Sequence, residues 1–446
     1  MKKILLIGAG RSSSSLIAYL LEHAKTENWT LTIADISKEN ANAKLGGDPS
    51  GNAIALDIHN SVATTAEIEK ADLVLSMLPA HMHISVAREC VRLKKHLVTA
   101  SYVSAEMQEL DAAATSAGII LLNECGLDPG IDHMSAMEVI DRVHKEGGKI
   151  SSFKSYTGGL VAPESNDNPW GYKFSWNPRN VILAGQGTAC YIEEGNYKYV
   201  PYNRLFTHVD KIAVKGIGTF DGYPNRDSLS YRKIYQLDNI QTMLRGTLRQ
   251  DGFCKAWNIF VQLGLTDDSY KIEDASKLSY ASLLEAFLPT AKGNQSLRKR
   301  LADFAGLAEE DEAIKLIEWT GILEDKALGV TKASPAEILQ SLLEKKWILR
   351  KEDKDMIVMQ HDFEYEMENK KFRQKSSLVV KGDDSVYTAM AKTVGLPAAI
   401  ATRLILSGKI QSRGVQIPVG KEIYFPVLQE LEKSGIKFVH QLEERS

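Results

Sequence analysis

The sequence predicts an α/β protein, with a parallel-sheet domain first and an α+β domain carrying a helical insertion after it. Three observations predict this. The chain opens with an apolar strand, Lys2-Lys3-Ile4-Leu5-Leu6-Ile7, that breaks into Gly8-Ala9-Gly10 and then a helix-like stretch. A strand–helix rhythm runs through the first 125 or so residues and stops. Beyond 126, shorter strand-like segments alternate with long proline-containing loops and then a helical block.

The opening turn is an anion cradle. Glycines let the backbone turn tightly, and the following helix aims unpaired N–H groups at a pyrophosphate. A second strand, Trp29 to Ala34, ends on Asp35. A carboxylate there accepts from the ribose hydroxyls of NAD and repels the 2′-phosphate of NADP. The unit reads as a Rossmann-type NAD-binding domain, although Ser13 stands in place of the third glycine of the fingerprint. The plainer reading is a βα turn whose glycines only shape the loop.

Four further strands follow. Ala53–Ile58, Asp72–Pro79, His96–Ser101 and Ile119–Glu124 are near-continuous apolar runs, separated by helical patterns such as Ile84–Leu93 and Ala105–Ala117. Such runs mark a parallel sheet covered on both faces, with ligands beyond the carboxyl ends of its strands. Those ends carry Leu78-Pro79, Ser101-Tyr102 and Gly126-Leu127-Asp128-Pro129-Gly130, the last opening a helix with Asp132 and His133 in its first turn. Singly, Asp128 reads as a turn-former or cap and Tyr102 as a packing residue. On one sheet edge they read as a polar substrate site beside the nicotinamide.

Past 126, Lys149–Tyr156 and His208–Val214 are strand-like, and Pro163, Pro169 and Pro178 mark loops. Residues 274–346 read as a helical insertion, whose acidic run Glu309-Glu310-Asp311-Glu312 suits a helix start. Asp355–Gln360 and Ser377–Lys381 read as a returning strand pair. The domains are then 1–125, 126–273 with 347–384, and 274–346, with a helical tail, 385–446, packing back on the first.

Composition narrows the class. With 446 residues, two or three domains are expected. Lys+Arg 54 against Asp+Glu 57 gives a net charge of −3, so no basic excess points to nucleic acid. Cys90, Cys125, Cys190 and Cys254 are scattered, which suits reduced thiols in a cytoplasm. The N-terminal apolar run is too short for a signal peptide, and no run is expected to span a membrane. His81 and His83 would face different sides of a helix and His361 has no histidine or cysteine nearby in sequence, so no metal site is expected.

Several strings resemble the saccharopine dehydrogenase, glutamate-forming, family: Val98–Ser104, Gly126–His133, Tyr172–Trp176, Gly222–Ser228, Leu244–Arg249, Ala389–Pro397 and Lys421–Tyr424. The likeness spans the chain and is strongest to the dehydrogenase half of the animal bifunctional enzyme, aminoadipic semialdehyde synthase, with no lysine–ketoglutarate reductase half expected. The resemblance implies dinucleotide contacts from Gly8, Ala9, Gly10, Arg11, Ser12, Asp35, Asp57, Ile58, Leu78, Ala100 and Ser101. Leu127, Asp128, Pro129 and Ser175 would line the nicotinamide end. It implies substrate contacts from Ser101, Tyr102, Asp128, Arg226, Thr247, Leu248 and Arg249, and a homodimer. The family's Ser-Tyr-Cys-Gly-Gly is here Ser155-Tyr156-Thr157-Gly158-Gly159, so no role resting on that cysteine carries over.

The chemistry agrees with the resemblance. Saccharopine is a secondary amine with three carboxylates, and arginines supply planar paired donors for such groups. Its oxidation by NAD⁺ and hydrolysis, giving L-glutamate and 2-aminoadipate 6-semialdehyde in lysine degradation, needs a base for the amine and again for water. Asp128 is the leading candidate with Tyr102 as partner, and His133 a weaker one. The alternatives are an NADP-dependent reductase of lysine synthesis, a carboxynorspermidine-type dehydrogenase, or a nonenzymatic nucleotide sensor.

Overall fold

The computed structural model describes residues 1–290 and 293–445, so positions 291 and 292 of the expected helical insertion and position 446 of the tail lie outside the described residues. The chain forms two compact units. The first comprises Met1–Ile150, Lys354–Ile357 and Tyr365–Ser446, the second Ser151–Asp353 and Val358–Glu364.

The first unit holds the parallel sheet. Its strands β1 (Lys2–Ile7), β2 (Trp29–Asp35), β3 (Gly51–Ala55), β4 (Leu73–Ser76), β5 (His96–Thr99) and β6 (Ile120–Leu122) lie in the order β6-β5-β4-β1-β2-β3, all parallel. β1, β4, β5 and β6 are largely buried apolar runs of the sequence, whereas β3, read there as Ala53–Ile58, is an edge strand with one buried residue. The order reverses between β1 and β4, the switch point at which open α/β sheets bind ligands. Ser13 accommodates the missing glycine by donating its hydroxyl to the Gly10 carbonyl at 2.8 Å. The expected helix Ala105–Ala117 is instead two short helices, Ala105–Gln108 and Asp111–Ser116.

In the second unit, β7 (Lys149–Val161), β8 (Thr188–Glu193), β9 (Asn196–Pro201), β10 (Asp210–Val214), β11 (Gly218–Pro224) and β12 (Thr242–Gln250) form a mixed sheet. Its order is β10-β11-β12-β7, with the β8–β9 hairpin attached to β12. β12 runs parallel to β7 and antiparallel to β11. The helical block is present as Tyr280–Phe287, Leu297–Ala305, Glu312–Trp319 and Pro335–Glu344. Ser334 and Glu337 close a capping box around Pro335, and Asp311 of the acidic run caps its helix through the Ala313 amide at 2.9 Å. Trp170, Tyr172, Phe253, Trp257 and Trp347 pack edge-to-face and stacked as the unit's aromatic core.

The remaining strands are β13 (Asp355–Met367), β14 (Lys370–Lys381), β15 (Gly414–Gln416) and β16 (Val439–Arg445). β13 and β14 are longer than their apolar cores indicated, and Glu368 and Asn369 turn between them with φ of 51° and 62°. The tail corrects the sequence reading twice. It is not only helical: β15 pairs parallel with β6, and β16 pairs antiparallel with β14. The first unit also extends to Ile150 rather than 125 and includes β14. Helix Ile131–Lys145 packs on helix Lys421–Lys433, where Tyr424 Oη donates to Asp141 Oδ2 at 2.6 Å.

Contrary to expectation, helix Ala389–Leu406 is long and apolar enough to cross a membrane by length and composition, and 67% of it is buried inside the protein. It lies against helix Ser14–His23. A β-carbon at Gly395 would stand 3.0 Å from the Ser12 carbonyl oxygen, so glycine there permits the close approach.

Candidate active site

The carboxyl edge of the first sheet gathers the residues assigned to the dinucleotide. Gly8 turns the chain at φ 101°, and a β-carbon on it would meet the Met77 carbonyl oxygen at 3.0 Å. Only glycine leaves that approach between the ends of β1 and β4 open. Asp35 fixes the turn: Oδ2 accepts from the Ala9 amide at 2.8 Å and Oδ1 from the Ser37 amide at 3.0 Å. Each oxygen keeps a lone pair for a ribose hydroxyl. Gly10, Arg11 and Ser12 continue into the helix, Asp57 and Ile58 follow β3, Leu78 follows β4, and Ala100 and Ser101 follow β5. The set fits a dinucleotide, and the first-turn amides suit its phosphates.

Two loops of this edge carry the proposed catalyst. Tyr102 Oη donates to Asp128 Oδ1 at 3.3 Å. The Asp128 loop is tight: Asp128–Pro129 is cis, the Gly126 amide donates to the Pro129 carbonyl at 3.0 Å, and Gly130 has φ 147°. Asp132 accepts from the Gly130 amide at 2.6 Å, so it is a structural cap.

Glu124, which sequence reasoning did not select, braces both loops. Its amide donates to the Ser101 carbonyl at 3.0 Å and its Oε1 accepts from the Val103 amide at 3.0 Å. Its Oε2 lies 2.8 Å from His133 Nε2 on the helix after the Asp128 loop. His133, the weaker candidate for the base, has 0% exposure and forms part of this brace. An acid closing an apolar strand was the available signal.

His83 was also passed over, except as half of an unproductive histidine pair. It is buried, its ring between the hydroxyls of Ser76 and Ser101, while His81 is exposed. Burial lowers its pKa to about 4, so the imidazole is neutral at neutral pH. No cluster of metal-ligating side chains is present among the described residues.

In the second unit, strand register sets a polar face. Tyr223 of β11, Thr247 of β12 and Thr157 of β7 stand side by side across three strands. Two residues on, Arg249 pairs with Asp221; two residues back, Arg245 pairs with Ser155. Alternation therefore puts Asp221, Tyr223, Arg245, Thr247, Arg249, Ser155 and Thr157 on one face. The Leu248 side chain points to the other, against Gly158, which corrects its place beside Thr247 and Arg249 and leaves only its backbone on hand.

Arg249 is the centre of this face. It is 5% exposed, and its guanidinium lies over Tyr172, Phe253 and Tyr223 at 5.3, 5.6 and 6.0 Å. Its Nη1 donates to the Leu248 carbonyl at 2.9 Å, and among the described residues no carboxylate pairs with it. Thr157 Oγ1, where the family has cysteine, is buried without a hydrogen-bond partner among the described residues. Burial raises the Tyr223 phenol, with Arg249 opposing. Arg245, another residue that went unselected, is 6% exposed and stacks over Tyr231 at 4.4 Å. Arg226 lies outside this face, exposed in the turn after β11 at φ 49°, its carbonyl accepting from the Cys190 amide at 2.9 Å. Ser175 is buried in the same unit.

Two family profiles divide the chain. Residues 4–122 match "Saccharopine dehydrogenase NADP binding domain" and residues 126–436 match "Saccharopine dehydrogenase C-terminal domain". The chain belongs to the saccharopine dehydrogenase family. It is 36% identical over 445 residues to saccharopine dehydrogenase (NADP(+), L-glutamate-forming) of Pyricularia oryzae, covering 98% of both chains. It is 36% identical over 449 residues to the mitochondrial alpha-aminoadipic semialdehyde synthase of Bos taurus, covering 99% of this chain and 48% of that one. The apo saccharopine dehydrogenase (L-Glu forming) from Saccharomyces cerevisiae superposes with a TM-score of 0.89 at 33% identity, over 99% of this chain and 100% of that one. Each profile of the saccharopine dehydrogenase family holds one of these features: the nucleotide edge falls within residues 4–122 and the cationic, hydroxyl-lined face within residues 126–436.

Proposed function

We propose that the protein oxidises saccharopine with NAD⁺ and water, releasing L-glutamate and 2-aminoadipate 6-semialdehyde in lysine degradation. The observation that carries this is Arg249, a nine-tenths-buried guanidinium in an aromatic box with no carboxylate of the described residues against it. A buried charge needs a partner, and a substrate carboxylate meets that need with paired charge-assisted hydrogen bonds. Thr247 and the unpartnered Thr157 hydroxyl add donors on the same face. Arg226 lies about five residues along the strand from Arg249, on the order of 15 Å, which suits a ligand carrying carboxylates at both ends.

A bound nicotinamide supplies the hydride acceptor. The chain supplies proton handling and alignment. Asp128 takes the proton from the bridging amine, freeing the lone pair, while the Tyr102 hydroxyl holds the carboxylate in place. Once the carbon–nitrogen double bond has formed on the substrate and Asp128 has released its proton to solvent, the regenerated carboxylate serves as base for the attacking water. Glu124 holds the two loops in register for both events.

The choice of NAD rests on Asp35, whose carboxylate repels a 2′-phosphate; Ile36 and Ser37 after it offer no cation. The opposite choice, with flux toward saccharopine, is favoured by the NADP(+) in the names of the fungal relatives. Purified protein mixed with saccharopine and either NAD⁺ or NADP⁺, with reduced nucleotide and glutamate both measured, tests the reading. Glutamate formed faster with NADP⁺ would overturn the cofactor choice, and no glutamate with either would overturn the reaction.

A further inference from the structure

We propose that His83 is a positioning residue for the dinucleotide, fixing the hydroxyl of Ser101 through its Nε2; this rests on the reading of Ser101 as a dinucleotide contact. His83 opens the helix His83–Leu93 just past the end of β4, and its side chain turns inward with 3% exposure. Nδ1 lies 2.8 Å from Ser76 Oγ, on the last residue of β4. Nε2 lies 2.8 Å from Ser101 Oγ and 3.2 Å from Thr99 Oγ1, at and beyond the end of β5. The ring therefore bridges two neighbouring strand ends at the nucleotide edge.

The exposures of its partners give the bridge a direction. Ser76 and Thr99 are both 0% exposed, whereas Ser101 is half-buried. The Ser101 amide donates to Thr99 Oγ1 at 3.3 Å, so that residue is held from backbone and side chain alike. A neutral imidazole is a donor at one nitrogen and an acceptor at the other. In either tautomer, one bond of the Ser101 hydroxyl is taken by the ring, and its remaining capacity is left for a ligand. Such preorganisation removes the cost of ordering that hydroxyl when a ligand arrives. A side chain that merely filled space would not need two nitrogens matched to hydroxyls on both sides.

Glutamine and asparagine separate the two roles, because a Gln amide reaches toward the Nε2 position and an Asn amide toward that of Nδ1. The full chain is titrated with NADH or NADPH, whichever it binds more tightly, by nucleotide fluorescence. His83→Asn is expected to weaken binding about five- to tenfold, the worth of one hydrogen bond, and His83→Gln less than twofold. With Ser101→Ala already present, His83→Asn is expected to have no further effect. Equal losses in the two variants, no loss in either, or a full loss persisting beside Ser101→Ala would overturn the proposal. A second measurement needs no variant to fold: in ¹⁵N-histidine-labelled wild-type protein, the Nε2 resonance of His83 is expected to move on adding nucleotide. An unmoved resonance would overturn the proposal as well. Since saccharopine is absent throughout, these failures leave the substrate assignment standing; a protein that bound neither nucleotide would instead sink both.

Discussion

The phenol of Tyr102 and the carboxylate of Asp128 meet at 3.3 Å, joining the loop after β5 to the loop after β6. The two side chains come from positions 26 residues apart, and Glu124 ties their loops together from beneath. Asp128→Asn should lower kcat by about 10²–10⁴-fold, the range for losing a general base. Tyr102→Phe, which removes one hydrogen bond, should cost about tenfold. Steady-state assays with saccharopine decide this, and an Asp128→Asn protein keeping over about a tenth of its kcat would exclude Asp128 as base.

Arg249 makes a separate prediction, on binding. Arg249→Lys keeps the charge but loses the planar fork and the stacking on Tyr172. The KM for saccharopine should rise by roughly 10–100-fold while nucleotide affinity is unchanged. A variant with unaltered KM would mean the guanidinium serves only its aromatic box.

Gly130 tests the geometry of the Asp128 loop. A β-carbon there would lie 2.0 Å from the Gly126 carbonyl oxygen, on a backbone at φ 147°. Gly130→Ala should therefore destabilise the protein by on the order of 3 kcal/mol, read by denaturant unfolding. An unfolding midpoint within error of wild type would show that the loop is not held as described.

Acid should destabilise the fold through His83. Its folded pKa, about 4, lies below the ordinary histidine value. Between the two, the unfolded chain binds a proton that the folded chain refuses, so stability rises with pH across that window. The contribution is complete above about pH 6.5 and is lost as pH falls toward 4, by at most about 3 kcal/mol. His96, also lowered to about 4 by burial, adds to the same slope. His83→Gln should flatten the dependence of Tm on pH in this range; an unchanged slope would show that His83 titrates normally.

Sequence alone revealed the parts of the fold that each strand encodes for itself. β1, β4, β5 and β6 are largely buried, so each reads as an apolar run, and Gly8 and Asp35 stand at the ends of β1 and β2. β15, three residues with one buried, has no such signature, since its partner β6 lies some 290 residues earlier. The same limit hid the face around Arg249. The alternation Arg245, Thr247, Arg249 was present in the sequence, but Tyr223 and Thr157 join it only through strand register. His83 and Glu124 went unread because their chemistry lies in what they touch, hydroxyls and amides from other loops.

The pairing of β15 with β6 has a consequence for biosynthesis. As the polypeptide leaves the ribosome, the first six strands emerge hundreds of residues before the segment that covers their open flank. The second unit can settle while the first still waits with an uncovered sheet margin, a surface prone to illicit strand addition. A nucleotide domain excised at residue 125 would carry that defect permanently. Its recombinant production should call for residues 389–433 supplied in the same molecule, spliced back by a short linker.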